Sequence, residues 1–190
     1  MIYQTIQTAL QKIRWHTRLR SWITWTSLLA LFLPGACKSV YTQTAIKASP
    51  AEIWSALMAN QCYPEWNPYH VRVEGFLQEG NTILVEIHKP NGSQITIHPR
   101  VLRIEPQRLL VWGGGIPGLF TGEHVFEIIE RDTEVLFVQR EEFYGLFVLF
   151  AELETIEEGY TQMNAALKVR LENRPIPNCA INLQSIHALP

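Results

Sequence analysis

The residue in this chain best placed for proton chemistry is His124. Between Phe120 and Glu130, residues Phe120, Gly122, His124, Phe126 and Ile128 fall on one face of a strand, and Thr121, Glu123 and Glu127 fall on the other. The first set is far more apolar, so His124 is expected to point inward among aromatics. A satisfied core residue is the simpler reading of such an imidazole; a ligand-contacting or proton-transferring group is the other. Glu123 is excluded as its partner, because neighbours in a strand face opposite ways. The partner depends on the hairpin that follows. A turn centred on Asp132 puts Arg140 opposite His124, whereas a two-residue Asp132-Thr133 turn puts Glu141 there. These registers differ by one residue and reverse every face of strand 133–144. With Glu141 the imidazole would be oriented and charged; with Arg140 it would stay neutral.

Other polar groups are less diagnostic. Arg72 and Glu74 alternate with valines, the pattern of a solvated sheet face. His98 and Arg100 flank Pro99, which cannot donate to a ladder, so an edge or bulge is expected there. Cys37, Cys62 and Cys179 show neither CxxC spacing nor a metal-type pairing with histidine. No metal site and no cofactor are expected. A Cys62–Cys179 disulfide is compatible with an oxidising compartment, although one half-buried thiol and one tail thiol is the simpler reading.

The elements that must position these groups are readable from periodicity and breakers. Tyr41 to Lys47 alternates as a first strand. Ser49 as N-cap, Pro50 at the first helical position and Glu52 at the third predict a helix to about Ala59. The corner YPEWNPYHVRVEG, Tyr63 to Gly75, follows; Pro64 and Pro68 interrupt it, and Val71, Val73 and Gly75 alternate with His70, Arg72 and Glu74. Strands are then expected at 70–77, 81–88, 94–104, 108–113, 120–130 and 133–144. Leu146, Phe150, Leu153, Ile156, Tyr160, Met163 and Leu167 recur at three and four residues, predicting a helix over 146–173. Gly159 lies inside it at a cost of about 1 kcal/mol against alanine. Its missing side chain leaves room for a ligand, a close strand or a bulky sheet residue.

Three segments carry a resemblance: the corner Tyr63 to Gly75, the stretch PGLFTGEHVFE from Pro117 to Glu127, and the helix containing Gly159-Tyr160 and Met163 to Lys168. Glu141-Glu142 followed by Phe143 and Gly145 adds to them. From about Tyr41 to Asn173 the chain resembles the SRPBCC superfamily, in its polyketide cyclase/dehydrase and lipid-transport-like branch. The resemblance implies an α+β helix-grip fold. A curved antiparallel sheet of about seven strands would wrap around the long C-terminal helix and leave an internal cavity. Trp66, Trp112, Phe120, His124, Phe126, Phe143, Tyr160 and Met163 are the residues placed to meet a ligand there.

Charge and hydropathy divide the chain unevenly. Residues 1–37 carry Lys12, Arg14, Arg18 and Arg20 and no acid, leaving 12 basic against 18 acidic residues beyond, a balance of −6. No basic stripe with interleaved aromatics occurs there, so nucleic acid is not an expected partner. The basic segment precedes an uncharged run from Trp22 to Ala36, shorter than the ~20 residues that cross a bilayer. Gly35-Ala36-Cys37 then resembles a bacterial lipoprotein signal with Cys37 lipidated, although Pro34 departs from that pattern; an uncleaved anchor is the alternative. The expected organisation is a signal peptide or membrane anchor (1–37), an SRPBCC-like domain (38–174) and a Pro-containing tail (175–190). The domain would be exported, on the periplasmic or extracellular side of a bacterial cell membrane, rather than cytoplasmic.

Three function classes follow. A membrane-tethered module binding a hydrophobic small molecule or lipid fits an aromatic interior with few polar groups. A cyclase, dehydratase or hydrolase using His124 with Arg140 or Glu141 requires a buried acid–base pair on a reacting atom. A structural or assembly partner would use the outer sheet face, where the strand patterns give no apolar patch.

Overall fold

Element boundaries follow from side chains that satisfy or deny backbone hydrogen bonds. In the computed structural model, which describes residues 36–151 and 153–173, Ser49 accepts from the Glu52 amide while Glu52 Oε2 accepts from the Ser49 amide, a closed capping box. That box starts helix α1 (Pro50–Met58), which follows strand β1 (Ala36–Ile46). A 3-10 helix (Asn60–Glu65) leads into the corner, where Asn67 Oδ1 accepts from the amides of both Tyr69 and His70 at 3.0 Å. The remaining strands are β2 (His70–Glu74), β3 (Leu84–His88), β4 (Gln94–Ile97), β5 (Arg100–Glu105), β6 (Leu109–Ile116), β7 (Phe120–Glu130) and β8 (Val135–Gly145). A second 3-10 helix (Leu146–Phe150) and helix α2 (Leu153–Glu172) complete the described chain. The apolar segment before Ala36, Cys179 and the tail from Arg174 onward lie outside the described residues.

All strand pairs are antiparallel, in the orders β1-β8-β7-β6-β5 and β2-β3-β4. A bridge between Thr82 and Arg100, with the Ile83 amide donating to Pro99 O at 3.0 Å, joins the two sheets. The fold is the expected α+β helix-grip, with four differences. There are eight described strands rather than about seven, because the proline at position 99 cannot donate and divides the expected strand 94–104 between two sheets. β1 begins at Ala36 rather than Tyr41, and pairs with β8 from Ala36↔Gly145 to Ile46↔Val135. A bulge between His70 and Arg72 breaks the alternation, so His70 and Val73 are both buried while Arg72 is exposed and paired with Glu86. Finally, the long helix starts at Leu153. Leu146 and Phe150 belong to the 3-10 helix and are exposed, Phe150 at 78%, so they do not extend the buried stripe.

The core fills the space between the concave sheet face and the helices, with Ile46, Leu57, Phe126, Phe137, Met163 and Leu167 all at 0% exposure. Two close approaches set its shape. At Gly145, with φ +129°, an added Cβ would stand 2.4 Å from Leu119 O, so the end of β8 lies backbone to backbone against the β6–β7 turn. At Gly159 an added Cβ would stand 2.1 Å from Tyr69 Cδ2. A glycine packed against a bulky side chain is therefore the reading that applies here, with Tyr69 as that side chain.

Gly159→Ala gains about 1 kcal/mol of helix propensity but overpacks a rigid ring, which costs about 1–3 kcal/mol. We expect net destabilisation in urea titration, and neutrality or gain when Tyr69→Leu is also present. An equal cost in both backgrounds would mean that the ring is not the constraint.

Candidate functional site

The β7–β8 hairpin decides the chemistry. Arg131 N donates to Glu134 O at 3.0 Å around Asp132-Thr133, and the register runs from Glu130↔Val135 to His124↔Glu141. The two-residue turn therefore applies. Phe137, Gln139, Glu141 and Phe143 share one face with His124, while Arg140 sits on the opposite face, 4.0 Å from Glu127. Arg140 is thus not a partner of His124.

Neither is Glu141 its hydrogen-bond partner. His124 Nε2 contacts Gln139 Oε1 at 3.1 Å, Gln139 Nε2 donates to Asn164 Oδ1 at 2.7 Å, and Asn164 Nδ2 donates to Thr42 Oγ1 at 3.0 Å. The direction of this relay assigns the His124 proton to Nε2. The ring is clamped between Phe126 (4.1 Å between centroids) and Tyr160 (4.4 Å). Burial, reinforced by neighbouring His70, pushes its pKa well below the ordinary 6.5, and the bond to Gln139 offsets this only in part. The register with Glu141 therefore does not bring the charge expected of it. Desolvation outweighs a carboxyl that bonds elsewhere.

The bond of Glu141 goes to helix α2, where the Tyr160 hydroxyl donates to Oε2. Burial raises the Glu141 pKa to about 7, against the lowering effect of that hydrogen bond. The Tyr160 phenol is pushed well above its ordinary value by burial, then by Glu141 and Tyr69. His70, 5.5 Å from His124 between ring centroids, is pushed down to about 3 by burial, and its Nδ1 has no hydrogen-bond partner among the described residues. Carboxyl, phenol and two imidazoles all line one cavity of about 660 Å³, within the range typical of small-molecule sites. Phe120, Phe143, Phe147, Phe150 and Ile156 form much of its apolar wall, Trp112 backs it, and Ile95 and Ile97 of β4 face it. Lys89 is the one lysine or arginine among its lining residues.

Of the residues placed at a ligand site from sequence, Trp112, Phe120, His124, Phe143 and Tyr160 line this cavity, together with Glu141. Phe126 and Met163 are in the closed core at 0% exposure, and Trp66 packs against Tyr63 at 5.2 Å, away from the lining. Sequence reasoning missed His70, Gln139 and Asn164. A signal existed for Asn164, four residues after Tyr160 and three before Leu167 on the buried stripe. Gln139 was legible once the register was chosen. His70 was hidden by the bulge.

A sequence model of the polyketide cyclase/dehydrase and lipid transport family matches residues 38–172. Among solved structures, the di-domain ARO/CYC BexL from the BE-7585A biosynthetic pathway is 14% identical with a TM-score of 0.61, covering 85% of this chain and 61% of that one. DynU16, a protein in the dynemicin biosynthetic locus, is 14% identical with a TM-score of 0.56, covering 70% of this chain and 47% of that one. This chain thus spans less than two thirds of either. Truncated norcoclaurine synthase from Thalictrum flavum is 13% identical with a TM-score of 0.60, covering 75% of this chain and 98% of that one. No curated protein is significantly similar in sequence. At these identities the structural likeness shows the fold, and the sequence model shows the family: the chain belongs to the polyketide cyclase/dehydrase and lipid transport family, whose SRPBCC fold binds hydrophobic ligands.

Proposed function

We propose that this domain binds a neutral, largely apolar small molecule or lipid in the cavity beneath α2, and that it works tethered to a membrane on the exported side of a bacterial cell. The observation that carries the binding reading is a cavity of about 660 Å³ with aromatic walls whose most deeply buried titratable groups are held uncharged, the half-buried Lys89 apart. His70 and His124 are kept neutral by burial, and Glu141 retains its proton up to about pH 7. An anionic ligand would find no buried counter-charge there, whereas a hydroxyl or carbonyl oxygen finds a carboxyl, a phenol and the free His70 Nδ1.

The tethered, exported part is supported by two features. One is the basic then apolar sequence that ends at Cys37. The other is Cys62, which is buried and disulfide-bonded, as suits an oxidising compartment. Among the described residues no helix is long and apolar enough to cross a membrane.

One observation favours a second reading, a cyclase or dehydratase. The Tyr160–Glu141 pair on the cavity wall is a phenol–carboxyl couple able to exchange a proton near neutral pH. On this reading the acid–base work falls to Glu141 rather than to the clamped His124.

Native mass spectrometry of the full chain purified from its own host should show a co-purifying apolar molecule, and Ala151→Trp, which fills the cavity wall, should weaken binding of the neutral dye Nile red at least tenfold. Dye affinity unchanged by Ala151→Trp would remove the cavity as the binding site.

Stability should depend on pH in opposite senses through Glu141 and the two histidines. The folded Glu141 value lies above the ordinary 4.5, so its contribution is full below pH 4.5 and is lost as pH rises to about 7. His70 and His124 lie below 6.5, so theirs is full above pH 6.5 and is lost as pH falls toward 3. Urea titrations should therefore place maximal stability near pH 6.5. Glu141→Gln should gain on the parent between pH 4.5 and 7, at a limit of about 1.4 kcal/mol per pH unit. A flat difference would mean that Glu141 ionises freely.

For the second reading, solvent deuterium should enter the carbon between the carbonyls of a bound model β-diketone. Glu141→Gln should slow this by roughly a hundredfold, and an unchanged rate would exclude Glu141 as the base.

A further inference from the structure

The surface around the cavity opening is apolar and uncharged over two converging segments. No residue from Leu109 to Gly122 carries a charge, and none from Phe143 to Ala151. The structure brings them together: Leu146 N donates to Gly118 O at 3.1 Å and Phe147 N to Leu119 O at 3.0 Å. Their large apolar side chains stand in solvent, with Ile116 at 63%, Leu149 at 61% and Phe150 at 78% exposure. Leu119 and Phe147 join them, and Phe147 and Phe150 also line the cavity. The apolar patch that the strand patterns lacked is therefore present in a turn and a 3-10 helix. Single exposed apolar residues need no explanation, but a contiguous charge-free group at a cavity mouth does.

The point at which the chain enters the domain identifies the occupant. β1 is already paired at Ala36, opposite Gly145, and Cys37 stands opposite Tyr144. Gly145 is the residue immediately before the apolar 3-10 helix, and Lys38 Nζ donates to Leu149 O within that helix at 3.4 Å. In sequence, the apolar run Trp22 to Ala36 is contiguous with the paired part of β1. A membrane attachment ending at Cys37, whether acyl chains or an uncleaved anchor, would meet the domain one residue from the Ala36–Gly145 pair that leads into this rim.

From this, and resting on the membrane-tethered reading above, we infer that the rim formed by Ile116, Leu119, Phe147, Leu149 and Phe150 docks into a lipid bilayer. The cavity mouth then opens onto the membrane, and its ligand is exchanged with lipid rather than with water. The absence of charge across both segments fits the hydrocarbon boundary and fits a polar protein partner poorly. Exposed Tyr41 and Tyr144 flank the entry strand as aromatic residues do at a membrane interface.

The test uses the full chain in phosphatidylcholine vesicles that contain phosphatidylcholine with a diazirine in its acyl chain. Flotation reports the tether, and mass-spectrometric mapping after illumination reports the residues in contact with lipid. Label is expected on Ile116, Leu119 and Leu149, none of which lines the cavity. Ile116→Glu with Leu149→Glu should reduce rim labelling at least tenfold while flotation persists. Phe76→Glu, at a residue 81% exposed in the β2–β3 connection, should change neither. A chain that floats but carries no label on the rim overturns the docking alone. A chain that does not float overturns the tether and the docking together.

Discussion

The packing of the Tyr69 ring on the bare backbone of Gly159 governs the arrangement of the whole interior. It fixes how closely the proline-broken corner approaches α2, and a train of rings is built outward from it. Tyr69 meets Tyr160 edge-on at 5.4 Å, Tyr160 stacks on His124 at 4.4 Å, and His124 stacks on Phe126 at 4.1 Å. Ring thickness thus sets the separation of helix and sheet at that level. On the C-terminal side Met163 and Leu167 close the gap completely, while on the N-terminal side Ile156 and Tyr160 border the cavity. One omitted side chain therefore separates a solid core from a hollow one.

The polar groups within that interior do two different jobs. The relay His124–Gln139–Asn164–Thr42 ties β7, β8, α2 and β1 together through neutral amides, an imidazole and a hydroxyl. A fully satisfied network of this kind specifies a single arrangement at little electrostatic cost, whereas a charged group in the same place would carry a desolvation penalty. Glu141 and His70 stand apart from it. Glu141 bonds Tyr160, His70 leaves a nitrogen without a partner among the described residues, and both face the cavity. His124 belongs to both groups, held by the relay and also lining the cavity.

Much of the fold was legible because its elements are marked by local chemistry. The capping box at Ser49 and the alternation of 120–130 each act within a few residues. What escaped the sequence depended on events at longer range. A bulge moved His70 to the inner face, and no alternation rule reports a bulge. The exposed 3-10 helix at Leu146–Phe150 continues the spacing of the α2 stripe, so periodicity alone joined the two. His124 was correctly placed on the inner face, but its neutrality depends on the Gln139 and Tyr160 contacts, which exist only once sheet and helix have docked. The relocation of acid–base capacity to Glu141 has the same origin.

The contact between Gly145 and Leu119 has one further consequence. The frame of the cavity mouth is made of main chain pressed on main chain, with side chains only dressing its edges. Exchange of Phe147, Phe150, Ile95 or Ile97 can alter the bore of the opening without moving that frame. The scaffold and the bore are thereby placed under separate control, and substitution can reshape the opening while the glycine holds the mouth in shape.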